Sequence, residues 1–189
     1  ILNAGNSGTT ARLLLSVLVD AKKKIKITGD SSLKKRDMNR IIVPLKKFGV
    51  KFKSNNGKLP VYLSGSKLLR PINYYEHLGS AQCKSAVMIA ALKTFGVTNI
   101  KSLPSRDHTE IMFKHVLKVP IILKKKKNYE LIKIKGLNEF KSFNYKIPGD
   151  ISSASFFIVL TLLSKNKSLV IKNVNINSSR IGIIKILKL

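Results

Sequence analysis

Polar turns that lead directly into apolar stretches recur at three places along the chain. The turns comprise residues 5–10, 80–82 and 149–154, and the apolar residues that follow each one predict a buried helix. Their starts lie roughly 70–75 residues apart, which indicates an internal repeat. Because the first N–H groups of a helix have no partners within it, turns of this kind predict a site for an anionic ligand.

A second series of segments, each beginning with an arginine, alternates with the first. Residues 36–38, 106–108 and 180–182 each precede an amphipathic helix. After the first two of these helices, residues 55–57 and 124–128 each separate two short strands, as in a hairpin. The repeat therefore predicts the order strand, helix, strand, helix, strand, strand.

Both ends of the chain fall within this repeat. Residues 1–3 lead almost directly into the glycine turn, so the first copy is predicted to lack its opening strand. The third copy stops at Leu189, inside its second helix. We therefore expect an internal fragment of a longer protein.

The charge of the chain is strongly positive. Its 189 residues include 36 lysines and arginines against 9 aspartates and glutamates, a formal net charge of +27. Such a surface suits nucleic acid or a small anionic substrate. A biased, lysine-rich composition accounts best for the lysine runs at 22–24 and 124–127, which we expect to be solvated faces. The sequence contains no RNP strand, zinc finger or leucine zipper.

Two classes of protein are excluded by the sequence. One cysteine, Cys83, rules out a disulfide framework and a cysteine metal site within this chain, and the three histidines show no zinc-ligand spacing. We therefore expect no metal site, and we expect Cys83 to be a small buried residue at a helix start. The longest apolar stretch, residues 156–163, is too short to cross a bilayer.

The glycine turn at residues 5–10 matches neither common phosphate-binding fingerprint. Its second glycine is not followed by Lys-Ser or Lys-Thr, and the spacing of a dinucleotide-binding loop is absent. As a bare pattern it fits a plain helix cap as well as a ligand-binding turn. Gly8 would let a ligand approach the backbone closely.

Five segments taken together resemble one known family. They are residues 2–13, 29–36, 79–86, 105–110 and 148–154. In order and spacing they resemble the signatures of the 5-enolpyruvylshikimate-3-phosphate (EPSP) synthase family, from the first residues of the chain to the last. The resemblance covers about half of a full-length member.

The resemblance implies an α/β fold of repeated βαβαββ units with pseudo-threefold symmetry, the inside-out α/β barrel of the enolpyruvyl transferases, here incomplete at both ends. It places most of one domain, without its start, in residues 1–147. Residues 148–189 would be the crossing and the truncated start of a second domain.

The resemblance also implies a reaction. Family members transfer the enolpyruvyl group of phosphoenolpyruvate to the 5-hydroxyl of shikimate-3-phosphate and release phosphate, a step of the shikimate pathway to chorismate and the aromatic amino acids. No metal or organic cofactor is implied. The expected partners are these two small molecules, with no nucleic acid and no membrane, and the intact enzyme is expected to be a cytoplasmic monomer. The herbicide glyphosate occupies the phosphoenolpyruvate site in this family.

The resemblance assigns two sets of binding residues. The set for shikimate-3-phosphate is Ser80, Ala81, Gln82, Ser105 and Arg106. The set for phosphoenolpyruvate is Asn6, Gly8, Thr9, Arg36 and, again, Gln82. An arginine suits both sites because its guanidinium can pair with two oxygens of a phosphate.

Other polar residues receive different roles. Arg12 is expected to support the glycine turn. Gly149 and Asp150 match the hinge where the chain crosses into the second domain, so Asp150 is not expected to be catalytic. The family's acid–base pair lies beyond Leu189, so no catalytic residue is expected within this chain.

One departure and two alternatives accompany this interpretation. Asp37 stands where family members usually have proline, and its carboxylate could weaken binding of phosphoenolpyruvate by Arg36. UDP-N-acetylglucosamine enolpyruvyl transferase shares the fold and the donor, but its reactive cysteine has no counterpart in residues 28–37. The alternative from another class is a basic repeat protein that binds nucleic acid.

Overall fold

The computed structural model describes residues 1–136 and 142–188, and these divide into two units. The first unit comprises residues 1–105 and 109–136, and the second comprises residues 106–108 and 142–188. The domain boundary expected between residues 147 and 148 stays a prediction.

The first sheet of the first unit contains four strands and carries three helices. In chain order the elements are β1 (Leu2–Asn3), α1 (Gly8–Val17), β2 (Ile25–Thr28), α2 (Ser31–Lys34), α3 (Asn39–Lys47), β3 (Lys51–Asn55) and β4 (Lys58–Ser64). The strand order is β1-β2-β4-β3, with β1 parallel to β2 and the other pairs antiparallel. This matches the predicted unit of strand, helix, strand, helix, strand, strand, with a short extra helix.

The prediction that the first copy lacks its opening strand is wrong. Leu2 and Asn3 form β1 and pair in parallel with Ile27 and Thr28. Ala4 extends this pairing, since its N–H donates to the Thr28 carbonyl at 2.9 Å. Two residues are too few to show the alternation of polar and apolar positions by which a strand is recognised from sequence.

The predicted hairpin after α3 is confirmed. Asn56 and Gly57 form its turn, with φ angles of 47° and 70°. Two consecutive residues with positive φ suit the twist of a two-residue hairpin, and Asn-Gly is the sequence that adopts them most readily. Along β4, Leu59, Val61 and Leu63 are buried while the residues between them are more exposed, so this strand has one face in the core.

The second sheet repeats the first. Its elements are β5 (Asn73–Glu76), α4 (Ala81–Ala91), β6 (Val97–Ser102), α5 (His108–Ile111) with a π-helical turn at Met112–Val116, β7 (Ile121–Lys125) and β8 (Glu130–Lys135). The strand order β5-β6-β8-β7, with β5 parallel to β6 and the other pairs antiparallel, is that of the first sheet. The repeat predicted from the sequence and the expected α/β fold class are therefore confirmed.

The core of the first unit lies between the helices and the two sheets. Helix α4 packs against α1 and α3, and eight of its eleven residues are buried. Fully buried side chains include Leu15, Leu45, Met88 and Ile132. The lysine runs at 22–24 and 124–127 are exposed, as expected of solvated faces.

Among residues 106–108 and 142–188, the second unit contains two helices, α6 (Ile151–Leu163) and α7 (Gly182–Leu187). In its described part, the strands that the repeat predicts are represented by one parallel bridge between Gly149 and Val174. Helix α6 is apolar on nearly all sides, yet only Ile151 and Ala154 are buried. Its exposed side chains include Phe156, Leu160 and Leu163.

None of the helices that the structure describes has the length and apolar character that crossing a membrane requires.

Candidate functional site

The first polar turn opens α1 as predicted. Gly5 adopts a φ of +55°, which favours glycine, and Ser7 caps the helix by accepting a hydrogen bond from the Thr10 N–H at 3.1 Å. Gly8 is the first residue of the helix. A Cβ atom on Gly8 would lie 3.1 Å from a terminal nitrogen of Arg36. The guanidinium of Arg36 therefore lies against the positive end of the helix dipole, a combination that suits an anion.

Asp30 fastens the segment that carries Arg36 to the glycine turn. Its Oδ2 accepts a hydrogen bond from Asn6 Nδ2 at 2.5 Å, and its Oδ1 caps α2 by accepting from the Leu33 N–H at 2.7 Å. Its own N–H donates to the Gly5 carbonyl at 2.9 Å. The hydrogen bond from Leu33 and then that from Asn6 lower the pKa of Asp30 below its usual value.

Gln82 connects the start of α4 to the first turn of α1. Its Nε2 donates to Thr9 Oγ1 at 2.7 Å, and its Oε1 accepts from Arg12 Nη1 at 2.6 Å. Arg12 also donates through Nη2 to the Asp37 carbonyl at 3.2 Å. The structure thus brings the starts of two helices together and supports the expectation that Arg12 stabilises this region. Thr9, Gly8, Arg36 and Gln82 lie in one neighbourhood.

The second polar turn is shaped by a buried carboxylate. Glu76 is only 1 % exposed, and its two oxygens accept hydrogen bonds from the N–H groups of Leu78 and Ser80, each at 3.0 Å. Ser80 caps α4 by accepting from the Cys83 N–H at 3.3 Å, and Ala81 is the first residue of the helix. Cys83 is buried as predicted, and this burial raises the pKa of its thiol.

Ser105 and Arg106 fall in different units. In the first unit, the Ser105 hydroxyl is buried and has no hydrogen-bond partner among the residues that the structure describes. Buried polar groups without a partner are rare, and such a group can be satisfied by a bound ligand. Arg106 belongs to the second unit and is exposed.

The third polar turn opens α6. Asp150 Oδ1 accepts from the Ser152 N–H at 3.0 Å and from Arg180 Nη2 at 3.1 Å, and Arg180 also donates to the Ser152 hydroxyl. The hydrogen bond from the Ser152 N–H is the main reason that the pKa of Asp150 is lowered. Asp150 is thus engaged as a helix cap, while the hinge role expected of Gly149 and Asp150 stays a prediction.

The carboxylate of Asp37 is turned towards α3. Its Oδ1 accepts a hydrogen bond from the Asn39 N–H at 2.8 Å, at the first residue of that helix. Aspartate at this position is favoured by the helix dipole. The helix therefore forms with aspartate at this position.

Two residues around the site, Asp30 and Glu76, were not given a role from the sequence. Asp30 and Glu76 shape the two turns, and Arg12 contacts Gln82 directly rather than only supporting its own turn. Asp30 precedes Ser31 at the start of a helix, and aspartate at that position is a capping signal that the sequence displays. Glu76 carries no comparable signal.

No group of three or more histidine, cysteine, aspartate or glutamate side chains in the described ranges could hold a metal ion. The site comprises helix N-termini, arginines and neutral polar side chains, with the carboxylates of Asp30 and Glu76 holding its two turns. Helix starts flanked by arginines are an arrangement that suits anionic ligands.

Comparisons with known proteins agree on one family. A family model described as EPSP synthase (3-phosphoshikimate 1-carboxyvinyltransferase) matches residues 1–189. The chain is 46 % identical to the 3-phosphoshikimate 1-carboxyvinyltransferase of Caldicellulosiruptor bescii, with 100 % of this chain and 44 % of that protein covered. It is 43 % identical to the protein of the same name from Ruthia magnifica subsp. Calyptogena magnifica, with 100 % and 42 % covered.

A solved structure gives the same result. The EPSP synthase from Acinetobacter baumannii is similar to this chain with a TM-score of 0.82 and 37 % identity, over 98 % of this chain and 41 % of that one. The chain belongs to the EPSP synthase family, which confirms the resemblance found from the sequence. It spans less than half the length of the curated relatives that it matches.

Proposed function

We propose that this chain is part of an enzyme that transfers the enolpyruvyl group of phosphoenolpyruvate to the 5-hydroxyl of shikimate-3-phosphate. The relatives named above carry the name of this activity. As the family resemblance implies, the proposed enzyme is a cytoplasmic monomer whose partners are these two small molecules.

The observation that carries the proposal is the position of Gln82. The resemblance assigns this residue to both substrates, and its amide lies between Thr9 and Arg12 at 2.7 and 2.6 Å. A residue shared by two ligands must lie where their sites meet. Gln82 lies where the starts of α1 and α4 meet, which supports that shared role.

Phosphoenolpyruvate is proposed to bind at the start of α1. Gly8 has no side chain to occupy the space beside Arg36, and the first turn of the helix presents partial positive charge. An arginine can pair with two oxygens of a phosphate or carboxylate. Asn6 acts indirectly, through Asp30, by holding the segment of Arg36 against the turn.

Shikimate-3-phosphate is proposed to bind at the start of α4. Ser80 and Ala81 form the first turn there, and Glu76 fixes its backbone. The buried hydroxyl of Ser105 has no hydrogen-bond partner in the described residues, as expected of a group that donates to a ligand oxygen. The resemblance adds Arg106, whose guanidinium would neutralise phosphate charge.

The proposed reaction is an addition followed by an elimination. The 5-hydroxyl oxygen bonds to C2 of phosphoenolpyruvate, the hydroxyl proton leaves, and C3 gains a proton. In the tetrahedral intermediate that results, the bond from C2 to the phosphate oxygen then breaks and C3 loses a proton, which restores the double bond. In this proposal the residues at the starts of α1 and α4 bind and orient the anions, while the acid–base pair is expected beyond Leu189.

Calorimetry on a full-length protein that carries this chain tests the proposal. Shikimate-3-phosphate should bind alone, and phosphoenolpyruvate or glyphosate should bind more tightly in its presence. UDP-N-acetylglucosamine and a DNA duplex are the controls for the two alternatives. The proposal fails if shikimate-3-phosphate does not bind, or if either control ligand binds in its place.

A further inference from the structure

A lysine with no exposed surface lies just behind the start of α4. Lys84 is 0 % exposed and follows Gln82 by two residues. Its Nζ lies 2.6 Å from Glu110 Oε1 on α5 and donates a hydrogen bond to Glu130 Oε2 on β8 at 2.9 Å. Both glutamates are themselves buried. One ammonium group therefore joins three elements of the first unit.

Such a buried ion pair has a strong effect on geometry. A charged group removed from water is tolerated only when its partner is well placed, and loss of one partner leaves the other charge uncompensated. Burial raises the pKa of Glu110, and Lys84 opposes that shift. A displacement of α5 away from α4 would thus separate buried charges, so the pair holds these two helices in one arrangement.

A second contact joins the same two helices. The hydroxyls of Ser85 on α4 and Thr109 on α5 lie 2.6 Å apart and share a hydrogen bond. Both helices adjoin segments of the proposed shikimate-3-phosphate site, since α4 begins at Ala81 and α5 begins three residues after Ser105. Gln82 lies two residues before Lys84, and Ser105 lies four residues before Thr109. The connection to β8 through Glu130 differs, because backbone hydrogen bonds of the sheet already hold β8 beside β6, where Glu130 lies opposite Ser102, three residues before Ser105.

We propose that Lys84, acting through Glu110, is a positioning residue for shikimate-3-phosphate. The pair fixes the start of α4 relative to the segment that ends at Ser105, so that both segments can contact one ligand. This inference rests on the proposed function. It assigns no contact between Lys84 and the substrate. It gives the positioning role to Glu110 and not to Glu130, although both carboxylates bind the same ammonium group.

The comparison of Glu110→Gln with Glu130→Gln tests the inference, in a full-length protein that carries this chain. Each change removes one buried charge from the same lysine, so both should lower the melting temperature. Small misplacements of binding groups have large effects. Glu110→Gln should therefore also weaken binary binding of shikimate-3-phosphate about tenfold. The affinity of Glu130→Gln for the same ligand should stay within about twofold of wild type. In kinetics, Glu110→Gln should raise KM for shikimate-3-phosphate more than it lowers kcat.

A milder pair of variants decides the question if Glu110→Gln does not fold. Thr109→Val removes the second contact between α4 and α5 without changing the shape of the side chain. Thr98→Val is its control, since the buried Thr98 hydroxyl on β6 has no partner among the described residues. We expect about threefold weaker binding of shikimate-3-phosphate for Thr109→Val and no change for Thr98→Val.

Two results would overturn the inference. One is equal affinity of the Glu110 and Glu130 variants for shikimate-3-phosphate, and the other is an unchanged affinity of both Glu110→Gln and Thr109→Val. Binding of shikimate-3-phosphate by the wild-type protein distinguishes failure of this inference from failure of the proposed function. If the wild type does not bind shikimate-3-phosphate, the proposed function is wrong, whereas binding by the wild type with equal variants refutes only the role of Lys84.

Discussion

Gln82 Nε2 donates a hydrogen bond to Thr9 Oγ1 at 2.7 Å, although the two residues lie 73 positions apart in the chain. This contact joins the first turns of two helices that occupy equivalent places in the internal repeat. Two helix starts with their positive dipole ends side by side, next to Arg12, form a region where anionic groups are stabilised.

The role of Gln82 predicts a loss of activity when its amide is removed. In the full-length protein, Gln82→Ala should lower kcat/KM for phosphoenolpyruvate about ten- to a hundredfold, because hydrogen bonds to charged groups contribute roughly 1.5–3 kcal/mol. Steady-state kinetics measure the change. Asn99→Ala is the matched control, since it removes an amide that pairs with Asn73 on the exposed side of the second sheet. Similar losses in both variants would contradict the role of Gln82.

The absence of a side chain at Gly8 predicts that a substitution there weakens binding of the inhibitor more than binding of the substrate. The methyl group of Gly8→Ala would lie 3.1 Å from a terminal nitrogen of Arg36, so the guanidinium must shift slightly. The inhibition constant for glyphosate should therefore rise more than KM for phosphoenolpyruvate. Gly182→Ala also changes the first residue of a helix, but its methyl group would meet no atom within 4 Å. Equal changes in both constants for Gly8→Ala would show that Gly8 does not line the inhibitor site.

Substitution of Arg106 and substitution of Arg36 should each weaken the binding of a different substrate. Arg106→Ala should weaken binary binding of shikimate-3-phosphate about ten- to a hundredfold, the effect of losing a charge-assisted hydrogen bond. Arg36→Ala should leave that affinity nearly unchanged and raise KM for phosphoenolpyruvate. Calorimetry without phosphoenolpyruvate limits the influence of domain closure. Arg70→Ala, which removes an exposed arginine, controls for the change in charge. If Arg36→Ala weakens shikimate-3-phosphate as much as Arg106→Ala does, the assignment is wrong.

Asp30 should stabilise the protein in a pH-dependent way. Its pKa is lowered in the folded state from 3.8, so the ionised carboxylate favours folding above that pH. This contribution is lost as the pH falls through the folded-state pKa. Asp30→Asn should therefore lower the melting temperature at pH 7, and the difference from wild type should shrink below about pH 4. A difference that is constant from pH 7 to pH 3 would show that the charge of Asp30 is not responsible.

Most of the fold could be predicted from the sequence, because it depends on local patterns. The polar turns, the Asn-Gly hairpin and the arginine segments each carry a signal of a few residues, and all of them recur in the structure. The missed strand β1 is two residues long, and its parallel partner lies 25 residues away. Pairing of that kind depends on tertiary contacts that no local pattern encodes.

The supporting residues of the site could not be predicted for a similar reason. Glu76 and Lys84 are charged residue types, which usually lie on the surface. Their burial follows from partners that the fold brings together, the backbone N–H groups of the second turn for Glu76 and two distant carboxylates for Lys84. The binding roles of the turn residues came from the family resemblance, and they remain predictions.

Turnover by a full-length protein that carries this chain is the most direct test of the central claim. With shikimate-3-phosphate and phosphoenolpyruvate together, it should release one phosphate for each enolpyruvyl group transferred, and neither substrate alone should give release. The isolated 189-residue chain should match a protein-free control, because positioned acid–base groups contribute about 10²–10⁴-fold and are expected beyond its last residue. Absence of phosphate release by the full-length protein, or release that requires UDP-N-acetylglucosamine instead, would contradict the account.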